Sequence, residues 1–149
     1  FMTMLNLLPF FPLYYNGKTK FIPIHVSEVS DIILYIIEKN ISSEIIECVG
    51  SQEYSFKEIL QKLLQLINKN KILIPLPLMI GKIMARFLEM FPKPLLTLDQ
   101  LKLLNYNNVL SGKYKSNFDI GLESKLNFEE EVSKYCYMWK EGGEYSKKN

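Results

Sequence analysis

The chain has 149 residues, 48% of them hydrophobic and 23% charged, with a formal net charge of +2. That length suits one domain around one core, and that composition suits a globular protein. A charge so near balance gives no electrostatic case for a nucleic-acid partner.

In chain order, residues 1–20 read as an irregular, Pro-punctuated segment closing in a turn at Asn16-Gly17. The opening holds Pro9 and Pro12 and lacks a basic leader, unlike a signal peptide. With Phe at position 1, it is expected to belong to a truncated reading frame. The apolar run Phe21–Val26 predicts a strand, and Ser27 is positioned to cap a following helix. Val29, Ile32, Ile33, Ile36 and Ile37 then share one helical face. Glu44–Val49 predicts a second strand, broken by Gly50. Ser55 and Glu58 form a capping box, each side chain satisfying a free amide of the other. Phe56, Ile59, Leu60, Leu63, Leu64 and Ile67 make the stripe of the helix it opens.

Lys71–Ile74 predicts a short strand, and Pro77 starts a helix from about Leu78 to Met90, stopped by Pro92 and Pro94. This helix is apolar around much of its girth. It reads either as core or as a docking face for a partner or a bilayer interface, with Lys82 and Arg86 reaching to water. Pro75, Pro77, Lys82, Arg86 and Glu89 interrupt the 72–91 run, so no segment reaches the roughly 18–20 apolar residues of a membrane span. Thr97 and Gln100 form a second capping box for a helix through about Asn105. Residues 111–125 are polar and predicted to loop. Asn127 caps a final helix carrying Phe128, Val132, Tyr135 and Trp139, ended by Gly142-Gly143 as a left-handed cap. Cys48 and Cys136 lack metal-ligand spacing and read as buried free thiols.

Ile24-His25-Val26-Ser27-Glu28-Val29 resembles the late strand–helix turn of extended short-chain dehydrogenase/reductases, the family of NAD-dependent epimerases and dehydratases, with Glu28 for the more usual Asp. Several blocks narrow the resemblance to the branch that includes the nucleotide-binding accessory subunit of respiratory complex I and its bacterial relatives. They are Lys20-Phe21-Ile22-Pro23-Ile24, Gly50–Phe56, the 92–110 stretch PKPLLTLDQLKLLNYNNVL, and Trp139–Tyr145. Their order and spacing cover about Pro12 to Tyr145.

The resemblance implies an α/β fold, the C-terminal portion of a Rossmann-type protein, mostly helical with a few short strands and without its glycine-rich half. It divides one fragment, 1–149, into a loop segment (1–20), the last strand–helix units of the sheet (21–70) and a helical lobe (71–149). It implies NADP or NAD in the intact protein and a structural or assembly role for the bound nucleotide. The partners expected are the nucleotide-binding half and respiratory-complex subunits or a membrane surface, in a cytoplasmic protein peripheral to the inner membrane. The alternative is an NAD(P)-dependent oxidoreductase or epimerase acting on a small or isoprenoid-type substrate.

This chain itself is expected to hold no cofactor and no catalytic, cofactor-binding or metal residues. A pyrophosphate cradle needs closely spaced glycines after a strand, and the seven glycines here include no such cluster. The family's catalytic Tyr and Lys stand four apart on a helix, where Lys lowers the phenol's pKa. Tyr14 and Lys18 have the spacing in a turn. Tyr35 and Lys39 have it on a helix too late in the chain. His25 reads as a structural hydrogen-bonder, and Glu28 as an acid favouring its helix start. Phe21 stands where sugar-nucleotide epimerases of the family carry an Arg. An apolar ring cannot pair a phosphate, which weighs against that substrate class.

Overall fold

A computed structural model describes residues 1–92, 94 and 96–146; Lys93 and Leu95 of the 92–110 block lie outside the described residues. The architecture is a small mixed α/β domain with few, short strands. In order it runs α1 (Met2–Leu7), β1 (Phe10–Leu13), a 3₁₀ turn (Tyr14–Gly17), β2 (Lys20–Phe21), α2 (Val26–Glu38), β3 (Ile46–Glu47) and β4 (Tyr54–Ser55). There follow α3 (Phe56–Leu66), β5 (Ile72–Pro75), α4 (Leu78–Leu88), α5 (Leu98–Leu103), β6 (Lys115–Ser116), α6 (Phe128–Ser133) and a 3₁₀ turn (Cys136–Trp139).

The opening segment is regular, contrary to expectation. Phe10–Leu13 runs parallel to Ile72–Pro75, with Pro12 opposite Ile74 and Leu13 opposite Pro75. Proline is tolerated because each strand of a two-stranded ladder has an outer edge where no N–H is needed. Phe11 and Leu13 point into the core. Segment 1–20 and the strand opening the C-terminal part therefore belong to one layer.

The 21–26 strand shrinks to Lys20–Phe21, antiparallel to β4. Pro23 brings no N–H to a ladder, and the chain turns into α2 with His25, not Ser27, as N-cap. The His25 ring does the work of a Ser cap: Nδ1 accepts the Ser27 amide at 3.3 Å. Of the predicted α2 face, Ile32 is buried, while Ile33 and Ile37 stay exposed. The 44–49 strand is likewise only Ile46–Glu47. It pairs in parallel with Lys115–Ser116, inside the stretch expected to loop. Buried Asn117 fastens that pairing: its Oδ1 accepts the Val49 amide, and its Nδ2 donates to the Leu122 carbonyl, both at 2.9 Å.

Both capping boxes form as read, Ser55 with Glu58 and Thr97 with Gln100. Asn127 Oδ1 accepts the amides of Glu129 and Glu130. The last helix is shorter than expected. It ends at Ser133, and Tyr135 and Trp139 fall at and within the following 3₁₀ turn. Gly142 does take a left-handed φ of 81°. It does so in a later turn, since the 3₁₀ segment is closed by Lys140.

The main core gathers Leu5, Phe11, Leu13, Phe56, Leu60, Leu63, Ile67, Val132 and Cys136. It thus draws on both ends of the chain and on α3. Asn6 Nδ2 donates to the Tyr145 carbonyl at 2.6 Å, and Trp139 Nε1 to Thr3 Oγ1 at 3.0 Å, tying the C-terminal turn to α1. Cys136 is buried and Cys48 half-buried; both are free, and burial pushes the Cys48 thiol up.

Candidate functional site

Two features stand out, a polar corner at the start of α2 and an apolar cleft between α1, β1, α4 and α5. In the corner, His25 Nδ1 accepts from the Ser27 amide and lies 2.7 Å from Ser27 Oγ. An accepting Nδ1 puts the neutral ring's proton on Nε2. That nitrogen faces Glu131 Oε2 at 4.0 Å. His25 is thus a structural hydrogen-bonder, as the sequence suggested, and takes the capping role expected of Ser27.

Glu28 does more than favour a helix dipole. Its Oε1 accepts the backbone amides of Lys125 at 2.6 Å and Leu126 at 3.0 Å, and its Oε2 accepts the Ser124 hydroxyl at 2.6 Å. Partial burial pushes the carboxyl's pKa up. The bonds from Ser124, Leu126, Lys125 and the His25 backbone outweigh it and hold the group below the ordinary glutamate value. One carboxylate therefore latches the 124–126 loop onto α2. An open pocket of about 420 Å³ lies beside it, lined in part by Ser27, Asp31, Asn117 and Ser124. Sequence reading missed this latch, since no local pattern links residues 96–98 positions apart.

Neither Tyr–Lys pair makes a catalytic arrangement. Exposed Lys39, just past the end of α2, sits over the face of the half-buried Tyr35 ring, 5.8 Å from its centroid. That is a cation–π contact, not a hydrogen bond to the phenol. Tyr14 and Lys18 flank an irregular turn in which Tyr15 and Asn16 have positive φ, so no helix aligns them. The Tyr14 hydroxyl is buried and has no hydrogen-bond partner among the described residues. Burial raises its pKa, the opposite of what a phenolic acid–base catalyst needs. Among the described residues, no cluster of three or more His, Cys, Asp or Glu is placed to hold a metal ion.

No protein-family model matches the chain, and no curated protein matches it.

The apolar cleft encloses about 740 Å³. Its walls include Met4, Leu8 and Phe11 on one side and Met84, Leu88 and Leu104 on the other. Tyr14 and Gln100 are the lining residues with polar side-chain atoms. Tyr14 is seated by Gly81: a Cβ there would stand 2.3 Å from the ring's Cε1, so only glycine lets α4 approach this closely. Ala85 and Leu101 bury the same ring. The small residues of α4 thus face the protein. Its large ones, Met79, Ile83 and Phe87, face solvent, as do Met90 and Phe91 just beyond. No helix among the described residues is long and apolar enough to cross a membrane.

Proposed function

We propose that this chain is the packing and docking part of an NAD(P)H-binding accessory protein of the extended short-chain dehydrogenase/reductase type, structural rather than catalytic. The resemblance in the order and spacing of its motifs supports the family. The observation that carries the docking role is surface area. A folded monomer of 17.5 kDa exposes about 7,900 Å², and this chain exposes 10275 Å². The surplus, on the order of 2,400 Å², is what one side of a large obligate interface removes from water.

Where the surplus lies fits the reading. Parallel ladders are normally covered on both faces, yet Ile72 and Ile74 of β5 are exposed. The outer face of α4 adds Met79, Ile83 and Phe87, and Phe87 packs edge-on against Phe91 at 5.9 Å. The nucleotide-binding half and a respiratory-complex or membrane-surface partner are the covers this reading calls for. A Tyr-x-x-x-Lys pair on a helix preceding this segment would instead favour the oxidoreductase alternative.

Titration calorimetry tests the nucleotide half of the proposal. The chain should bind NADPH and NADH no tighter than about 10 μM, roughly −7 kcal/mol, because it lacks an amide cradle. Joined to the product of its upstream coding sequence, it should bind one of them well below that limit. Tight binding by the chain alone, or none by the joined protein, overturns the proposal.

The docking half predicts that the isolated chain self-associates or binds liposomes. Phe87→Asp with Phe91→Asp should restore a monodisperse, vesicle-indifferent protein at unchanged helicity. Leaving one such ring uncovered forgoes roughly 1.5–3 kcal/mol, so α4 favours any apolar cover. Light scattering that finds the wild type monomeric, with the double variant unfolded by circular dichroism, would show α4 to be ordinary core.

A further inference from the structure

The docking face of α4 has a counterpart on α2. Ile33, Leu34 and Ile37 of α2 are exposed, and so, at the same i, i+1, i+4 spacing, are Ile83, Met84 and Phe87 of α4. Each set makes a stripe along one side of its helix. Val26 continues the first stripe toward the helix start, as Met79 and Ile80 continue the second. The rims of the two stripes differ in charge. Exposed Asp31 and Glu38 border the α2 stripe, and exposed Lys82 and Arg86 border the α4 stripe. None of these four joins an ion pair among the described residues. Glu89, on the basic side of α4, is occupied by the Leu98 amide, which its Oε1 accepts at 2.7 Å.

We propose that the chain associates with a second copy of itself head to tail, α2 of one copy lying along α4 of the other. The apolar stripes bury each other, and Asp31 and Glu38 face Lys82 and Arg86. The two helices run parallel. At 3.6 residues per turn, the acidic rim follows the α2 stripe in the sense of rotation, and the basic rim precedes the α4 stripe. Rims so placed meet only when the helices point the same way. Parallel coiled coils use rim charges like these to set partner and orientation. Two α4 faces, or two α2 faces, fit each other worse, because their rim charges stay unpaired or meet their like. An anionic bilayer is the poorer cover for α2, whose acidic rim it repels. The contact joins unlike faces, so association closes into a small ring or extends. This inference rests on the docking reading in taking α4 as uncovered, and it is independent of the nucleotide reading.

Sedimentation of the 149-residue chain at low salt tests this, with paired charge reversals at the exposed rim positions. Asp31→Lys with Glu38→Lys should weaken self-association about tenfold, the loss of two rim pairs, at unchanged helicity. Lys82→Glu with Arg86→Glu should do the same. An equimolar mixture of the two variants should recover wild-type association, and so should one chain carrying all four reversals, because opposite charges face each other again. Phosphatidylglycerol vesicles should leave the wild-type assembly intact. Four results would overturn the proposal. If the α2 reversals have no effect, or if four reversals associate no better than two, α4 is covered by something other than α2, and the docking reading stands. Vesicles that bind the chain and dissolve its assembly would assign α4 to a lipid surface. A wild type that stays monomeric would remove the docking reading together with the proposal.

Discussion

Gly50→Ala should be among the most damaging one-atom additions to this chain, costing about 3 kcal/mol or more, the range of overpacked or strained core sites. A Cβ at Gly50 would stand 1.8 Å from the Pro23 carbonyl oxygen and 2.8 Å from its carbon. Those are backbone atoms, which no rotamer change can move. The 21–25 segment would have to separate from the 46–50 segment, where the Val49 amide is bonded to buried Asn117. The control is Gly112→Ala. Gly112 has φ of 70° and nothing within 4 Å of the added carbon. Its cost is conformational alone, roughly 1–2 kcal/mol. Urea melts of the two variants separate the cases. Equal losses would mean that strand-end contact, not close backbone approach, sets the requirement for glycine at position 50.

That glycine shows how far the sequence could be read. It was legible as a strand-breaker, but its stronger constraint comes from Pro23, 27 positions away in the chain. Local chemistry was readable at most helix starts, though not at α2, where His25 caps in place of Ser27. Both capping boxes, the Asn127 cap, the α3 stripe and the start of α4 follow from spacing within one turn of helix. Strand extents were not. The apolar runs at 21–26 and 44–49 predict six-residue strands, yet the first contributes only Phe21 and the second only Ile46 and Glu47. An apolar run marks burial, and pairing further needs a partner edge with free N–H and C=O groups. Pro23 removes one such group, and β6 offers only Lys115 and Ser116 to β3. The converse error fell at β1, where Pro9 and Pro12 suggested irregular chain. Its partner β5 comes some 60 residues later, and pairing over that distance leaves no local trace.

The same division holds at the candidate site. His25 as a structural hydrogen-bonder and the apolar girth of α4 were visible in the residues themselves, whereas the cap fell to His25 and not to Ser27. The cleft was not, because Tyr14 and Gly81 meet only in the fold. Nor was the ion pair of Lys62 with Glu129, which joins α3 to α6 and lies beneath the Tyr54 ring. Long-range polar contacts of this kind are set by topology, and sequence periodicity carries no information about them.

Glu28→Ala should then cost far more than the few tenths to 1 kcal/mol that an acid near a helix N-terminus is worth. The carboxylate holds Ser124, Lys125 and Leu126 with three charge-assisted bonds of 2.6–3.0 Å. Hydrogen bonds to charged groups contribute about 1.5–3 kcal/mol each, and partial exposure reduces that, so about 2–4 kcal/mol in total is expected. Glu28→Gln should recover little, since its amide offers one acceptor oxygen where the loop presents three donors. The pH dependence has a definite sign. The folded-state pKa of Glu28 lies below its ordinary value of 4.5. The unfolded chain therefore binds this proton first as pH falls, and the latch's stabilisation is complete above that value. It is lost as pH drops from about 4.5 through the lower folded pKa. Wild type should show this acid-side slope in urea midpoints, and Glu28→Ala should flatten it. Hydrogen exchange at the Lys125 and Leu126 amides should accelerate in the variant, while the Glu58 amide in the Ser55 box stays protected. A variant that loses under 1 kcal/mol and keeps the slope would reduce Glu28 to a dipole partner and leave the 124–126 loop held by other contacts.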